Sequence, residues 1–214
     1  MIPKEAFTEI LLELEHRPLP ENKYRDVAGS GRSQSFGLVN KRCLPCDWSR
    51  QCWIRPKLYF HLMEFAKKYV DISFTSITVN QNYQCLPHRD KGNFGNSFLV
   101  AFGDYQGGCL AIHEGDLSGN HDIRYKPIKT DFSKVLHSVQ PFTGNRYSLV
   151  FYNLKSTKMP NRVPHGEILI ENGHYVFKRD GKVITAKTGL PHPLRGRKKM
   201  TFDRSEGDFT VTFE

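Results

Sequence analysis

The sequence predicts an all-β core with flanking helices, an α+β chain whose strands form two facing antiparallel sheets of the jelly-roll type. Three observations lead there. Between Asp71 and Leu154, short runs rich in β-branched and aromatic residues follow one another, separated by turn signals such as Gly107-Gly108 and Thr143-Gly144-Asn145. Those runs are not interleaved with helical patterns, so the rhythm of a parallel sheet is missing. Ahead of them, two stretches carry apolar residues at helical spacing. No internal repeat or low-complexity segment interrupts this order.

Taken in order, residues 4–15 read as an amphipathic helix, with Ala6, Phe7, Ile10, Leu11 and Leu14 on one face and Pro18 and Pro20 stopping it. Residues 21–35 are polar and contain glycine, which predicts a loop; Gly29-Ser-Gly-Arg-Ser33 could nest an anion, but no GxxxxGK[ST] occurs. A short strand is expected at Ser35–Val39. Trp48 and Trp53 follow; at least one is expected in the core, and both are candidates for stacking on bases. Pro56 suits the first turn of a helix to Tyr69, with Leu58, Leu62, Phe65, Ala66 and Tyr69 inward. From Ile72 to Asn80 the residues alternate as a strand does. Further strand-like runs are Phe98–Phe102, Cys109–His113, Lys134–Val139 and Tyr147–Tyr152. Beyond Asn153 come a linker from Lys155 to Pro164, a hairpin over residues 175–185 closing on Asp180-Gly181, a basic loop from Gly189 to Lys199 and a last strand at Phe209–Phe213. The organisation expected is 1–70 as supporting helices and loops, 71–154 as the core, and 155–214 as a basic extension of the same domain.

Composition narrows the function classes. At 38% hydrophobic and 25% charged residues, a soluble globular chain is favoured over a disordered one. The longest apolar runs are too short to span a membrane, and the opening Met-Ile-Pro-Lys-Glu is not a secretion signal, so an intracellular protein with no membrane partner is expected. Five cysteines in such a setting imply reduced thiols; Cys43-Leu-Pro-Cys46 with Cys52 lacks the second ligand pair of a zinc finger. The net charge of +9 is concentrated towards the C-terminal part, with Arg195-Gly-Arg-Lys-Lys199 its densest run, and a basic balance favours polyanionic partners such as nucleic acid.

The chemistry gathers at Pro87-His88-Arg89-Asp90-Lys91-Gly92-Asn93. On an extended segment, residues two apart share a face, so His88 and Asp90 can both turn inward. His137, much later in the chain, would reach them from a facing strand. Two imidazoles and one carboxylate form the facial triad that holds non-haem Fe(II) with positions left open. Arg146 and Ser148, two apart on a later strand-like run, share a face in the same way; a guanidinium with a nearby hydroxyl grips a carboxylate. His113 and His121 lack an Arg-x-Ser behind them, and His165, His174 and His192 lie in the tail.

Together His88-x-Asp90, His137 and Arg146-x-Ser148 resemble the Fe(II)/2-oxoglutarate-dependent dioxygenase superfamily, over roughly residues 72–153. The resemblance implies a double-stranded β-helix, with Fe(II) held by His88, Asp90 and His137 and 2-oxoglutarate by Arg146 and Ser148. It implies O2 as the other co-substrate, ascorbate as a stimulant, and hydroxylation coupled to decarboxylation of 2-oxoglutarate to succinate. Halogenating relatives lack the carboxylate that Asp90 supplies. A finer likeness joins His88-Arg-Asp-Lys-Gly-Asn93 and Ser97 to the TET/JBP group, which oxidises the methyl of 5-methylcytosine or thymine in DNA. It makes Arg89, Lys91, Asn93 and Ser97 candidates on the substrate side. Asn80 and Tyr83 are similar to residues that touch 2-oxoglutarate in AlkB-type relatives. The chain lacks the large Cys-rich extension of animal TET proteins. A target base in a duplex would have to be flipped out, which needs cationic grips and an apolar wedge, for which Lys91, Arg195–Lys199, Trp48 and Trp53 are candidates. The competing readings are a hydroxylase of a protein side chain, as in prolyl hydroxylases, or of a small metabolite, and a non-catalytic binding module.

Overall fold

Alternation along the strands becomes two sheets with a cavity between them. The structure is a computed structural model, and it describes residues 1–21, 29–41, 44–155 and 165–185. A short 3-10 turn, Lys4–Phe7, leads into α1 (Thr8–His16). Next come β1 (Gly29–Lys41), β2 (Leu44–Trp48), the single turn α2 (Gln51–Ile54) and α3 (Pro56–Tyr69). The core strands are β3 (Ser76–Cys85), β4 (Asn93–Gly107), β5 (Leu110–Ile112), β6 (Gly119–His121), β7 (Ile128–Thr130), β8 (His137–Val139) and β9 (Phe142–Leu154). A small sheet follows from β10 (Gly166–Glu171), β11 (His174–Arg179) and β12 (Lys182–Ile184).

The large sheet has the order β2-β1-β3-β9-β4-β7 and the facing one β6-β5-β8, every pairing antiparallel. The His88 segment adds a fourth line to the smaller sheet. His88 N–H donates to His137 O at 2.9 Å, and His137 N–H donates back to His88 O at 3.0 Å. The chain thus passes from β3 in one sheet to the His88 segment in the other, back to β4, across to β5 and β6, back to β7, across to β8, and back to β9. That alternating winding is the double-stranded β-helix, a jelly roll with helices on its outer side.

Burial follows residue parity. On β4 the run Phe98–Phe102 is buried throughout because the sheet is covered on both faces. Phe98, Val100 and Phe102 join the core under the helices, whereas Leu99 and Ala101 join a second core between the sheets with Leu110, Ile112 and Phe132. Helix α3 runs over the span its sequence predicts, with Pro56 in its first turn; Leu58, Leu62, Phe65 and Ala66 are buried, and Phe65 stacks on Phe151 at 6.0 Å. Phe7 stacks on Phe102 at 4.7 Å and so fastens the N-terminal helix to the same face.

Three expectations are corrected. The strand expected at Ser35–Val39 begins at Gly29, because β1 pairs with β3 from Gly29↔Cys85 to Gly37↔Ser76. Its register shifts between Ser30 and Arg32, where Gly31 sits at φ +134° with Asn82 O only 2.4 Å from where a Cβ would be; glycine alone fits. The loop reading failed because this polar stretch is held as a strand by its backbone pairing with β3, which apolar alternation does not report; β2 pairs only with Leu38–Lys41. Trp48 (2% exposed) and Trp53 (6%) are both core residues and cannot stack on bases: Phe177 of β11 packs on them at 5.4 and 6.0 Å. The expected C-terminal hairpin gains a third strand, β10, through a second turn at Asn172-Gly173. The expected linker beyond Lys155, the basic run Arg195–Lys199, the strand at Phe209–Phe213 and Cys43 lie outside the described residues. No helix among the described residues is long and apolar enough to cross a membrane.

Candidate metal centre

The reciprocal backbone pair between His88 and His137 puts their rings 4.4 Å apart, and Asp90 N–H, donating to Phe132 O at 2.9 Å, fixes the third residue beside them. The ligand atoms of His88, Asp90 and His137 all lie within 4.8 Å of one another. Each imidazole is oriented from behind. His88 Nδ1 lies 2.9 Å from Leu86 O, and His137 Nδ1 lies 3.0 Å from Val135 O. A carbonyl only accepts, so each Nδ1 carries its hydrogen and each Nε2 faces the cluster, the tautomer a metal requires. Asp90 is held too: Asn93 Nδ2 donates to Oδ2 at 3.3 Å, leaving Oδ1 3.4 Å from His88 Nε2.

Electrostatics separate the two imidazoles. Burial works to lower His88, but the Asp90 carboxylate, the Cys85 thiol and the Leu86 carbonyl outweigh it and raise the group to about 10. Burial holds His137 below its ordinary value, against the pull of Val135 O and Asp90. A divalent cation bound here would compete with protons for the same nitrogen atoms.

Beyond the triad, a cavity of about 100 Å³ runs between the sheets, several times the ~30 Å³ share of one water in the liquid. Strand parity supplies its walls: Thr78 and Asn80 from β3, and Arg146, Ser148, Val150 and Tyr152 from β9. Asn80 stands opposite Ser148, and its Nδ2 donates to Ser148 Oγ at 3.2 Å; the buried Asn80 Oδ1 has no hydrogen-bond partner among the described residues. Arg146 is 2% exposed. Its Nε donates to Gly108 O at 3.1 Å, and the rings of Tyr105 and Phe142 flank it at 5.5 and 5.8 Å. Burial lowers its pKa, and no carboxylate among the described residues forms a salt bridge with it. Gly108, at φ +68°, makes room for this side chain, since a Cβ would come within 2.9 Å of Arg146 Cδ. A buried cation without a counter-charge is costly unless an anion joins it, so the cavity has the donor set for a small carboxylate that also reaches the triad.

The structure thus brings His88, Asp90, His137, Arg146, Ser148, Asn80, Tyr83 and Asn93 around one cavity. Arg89, Lys91 and Ser97 do not line it. Arg89 is engaged by Glu114, Lys91 is exposed, and Ser97 is fully enclosed in β4, its Oγ without a hydrogen-bond partner among the described residues. Thr78, Cys85, Phe132 and Tyr152 also line the cavity and were not singled out in the sequence. Thr78 and Tyr152 were within reach of the two-residue arithmetic, being in phase with Asn80 and Ser148; nothing in the sequence pointed to Phe132 or Cys85.

No protein-family model matches the sequence, and no curated protein matches it. Solved structures with a similar course of chain include NgTET1 in complex with 5mC DNA, at TM-score 0.48 and 15% identity over 73% of this chain and 70% of that one. A 2OG-Fe(II) oxygenase family protein from Burkholderia pseudomallei gives TM-score 0.46 and 16% identity, over 72% and 80% of the two chains. A prolyl-4-hydroxylase from Pseudomonas putida gives TM-score 0.44 and 12% identity, over 72% and 86%.

Proposed function

We propose that this chain is an Fe(II)- and 2-oxoglutarate-dependent dioxygenase that hydroxylates its substrate with release of succinate and CO2. One observation carries the reading: three ligand atoms gathered within 4.8 Å share a cavity with a buried guanidinium that has no acidic partner among the described residues. A metal site alone fits many functions. An anion-seeking arginine in the same cavity narrows the choice to a co-substrate that carries a carboxylate and reaches the metal.

In this reading His88, Asp90 and His137 hold Fe(II). Arg146 and Ser148 grip the distal carboxylate of 2-oxoglutarate, and Asn80 and Tyr83 line its path. Iron, when bound, supplies the activation of O2 that is coupled to splitting 2-oxoglutarate and oxidising a C–H bond of the substrate. The protein's part is orientation: Leu86 O and Val135 O aim the imidazoles, and Asn93 steadies Asp90 so that its second oxygen faces the metal position. Leu99, Leu110 and Phe132 supply apolar walls to the same cavity.

We further propose that the substrate is the methyl group of a modified pyrimidine, 5-methylcytosine or thymine, in nucleic acid. The surplus of basic residues and the TET/JBP-like pattern at His88–Ser97 support it. So do two exposed apolar side chains that bracket the metal segment in sequence, Leu86 (56% exposed) and Phe94 (45%). With Trp48 and Trp53 buried, these are the better candidates to fill the space left by an extruded base, with Lys91 exposed between them. The test is mass spectrometry of nucleosides from methylated DNA incubated with the protein, Fe(II), 2-oxoglutarate and ascorbate. A hydroxymethyl product is expected. Succinate formation with no change in any base would direct the search to a protein side chain or a small metabolite. No succinate with any of these would overturn the enzyme reading.

A further inference from the structure

The metal segment is tied to the strand that carries His137 by a side chain that takes no part in the cavity. Arg89, between His88 and Asp90, donates from Nε to Glu114 Oε1 at 3.0 Å and from Nη2 to Glu114 Oε2 at 2.6 Å. The same Nε also lies 3.1 Å from Lys134 O. Glu114 Oε1 in turn accepts the backbone N–H of Leu136, the residue before His137. His113, next to Glu114, donates its own N–H to Leu136 O at 2.8 Å, so the loop that presents Glu114 is itself fixed to that strand. One carboxylate therefore receives a forked guanidinium from one half of the triad and a backbone amide from the other.

We propose that Glu114 is a positioning residue for the metal centre, acting through Arg89 and Leu136 to hold His88 and Asp90 in register with His137. This rests on the metal-binding reading of those three residues. A half-exposed ion pair such as this one, with side chains 40% and 36% accessible, contributes little to global stability. A metal site, by contrast, tolerates displacements of only about 0.5 Å before its ligands cease to converge. The forked geometry suits that task, because two parallel hydrogen bonds fix direction as well as distance. It also gives Arg89 a role in place of the substrate-side one: the guanidinium is already engaged on the far side of the segment it belongs to.

The test uses Co(II) titration of the metal-depleted full chain, followed by visible absorption, together with thermal melting. Glu114→Gln and Arg89→Ala are each expected to weaken Co(II) binding roughly tenfold, the lower end of what outer partners of metal ligands contribute. The double variant is expected to be no weaker than the worse single one, since both break the same link. Melting temperatures should fall by no more than about 4 °C. Lys129→Ala, which breaks the comparably exposed Lys129–Asp71 pair, should leave Co(II) affinity unchanged. Wild-type affinity in Glu114→Gln, additive losses in the double variant, or an equal loss in Lys129→Ala would overturn the positioning role. A wild-type chain that binds no Co(II) at all would overturn the metal reading beneath it.

Discussion

The two faces of β9 do different work within one strand. Tyr147, Leu149 and Phe151 point into the core under α1 and α3, where Phe151 is ringed by Phe65, Phe74 and Phe98 at 5.1 to 6.0 Å. Arg146, Ser148, Val150 and Tyr152 point the other way and line the cavity. The first face packs against apolar partners, and the Tyr147 hydroxyl at its edge accepts from Gln81 Nε2 at 3.4 Å. Among the described residues, the second holds a guanidinium with no acidic partner and stands against an amide oxygen with no hydrogen-bond partner. Unmet polar capacity on one face, next to satisfied packing on the other, marks where a strand was shaped for a ligand rather than for stability.

Substitutions on the two sides should therefore fail in different assays. His137→Ala is the largest expected effect. It removes one of three metal ligands but leaves the backbone bonds with His88 intact, so the chain should fold while elemental analysis finds no iron and succinate production falls to background. Retained iron at full stoichiometry would show that the triad is not the site. Phe151→Ala comes next and belongs to the other face. Deleting a fully buried phenylalanine ring typically costs about 3–5 kcal/mol, read as an earlier midpoint in urea unfolding. The fraction that remains folded should still bind metal with wild-type affinity, and a loss of affinity there would break the separation of the two faces.

Arg146→Ala sits between these extremes. Truncating one partner of a buried charge pair costs roughly 2–5 kcal/mol, which corresponds to at least a thirtyfold rise in the KM for 2-oxoglutarate. Removing a buried charge that lacks an acidic partner among the described residues offsets the lost hydrogen bond to Gly108 O and the lost packing on Tyr105 and Phe142, so the unliganded protein should change little in stability. An unchanged KM would show that the carboxylate is held elsewhere.

The part of this arrangement legible in the sequence is the part governed by period two. His88 with Asp90, and Arg146 with Ser148, can be placed on shared faces from spacing alone, and so could Thr78 and Tyr152. Helix α3 was legible from its apolar spacing and Pro56. What escaped depended on pairing between distant segments. The first part of β1 has a polar sequence, and its strand state is imposed by pairing with β3 from Gly29 to Gly37; β2 joins only at Leu38–Lys41. β10 does leave a signal in the sequence: Asn172-Gly173, at φ 49° and 76°, is the same kind of turn as Asp180-Gly181, at φ 51° and 74°. The burial of both tryptophans followed from that sheet, which brings Phe177 over them. Glu114 had no local signature, because its partners are Arg89 and Leu136, far from it in the chain.

The smallest expected effect tests the cavity face most finely. Ser148 Oγ accepts from Asn80 Nδ2 at 3.2 Å and has its own proton to give. In Ser148→Ala that proton is lost to the ligand, and Asn80 Nδ2 loses its acceptor. The first loss concerns binding alone and amounts to one hydrogen bond of about 0.5–1.5 kcal/mol, or about a two- to twelvefold rise in KM for 2-oxoglutarate. The second concerns the unliganded protein, because a buried amide left unsatisfied costs about 1–3 kcal/mol of stability. Asn80→Ala in the same background separates them. If the stability cost comes from the stranded amide, the double variant should recover part of it while KM stays raised. If Ser148→Ala changes stability but leaves KM where it was, the hydroxyl belongs to the packing of β3 on β9 and not to the grip on the co-substrate.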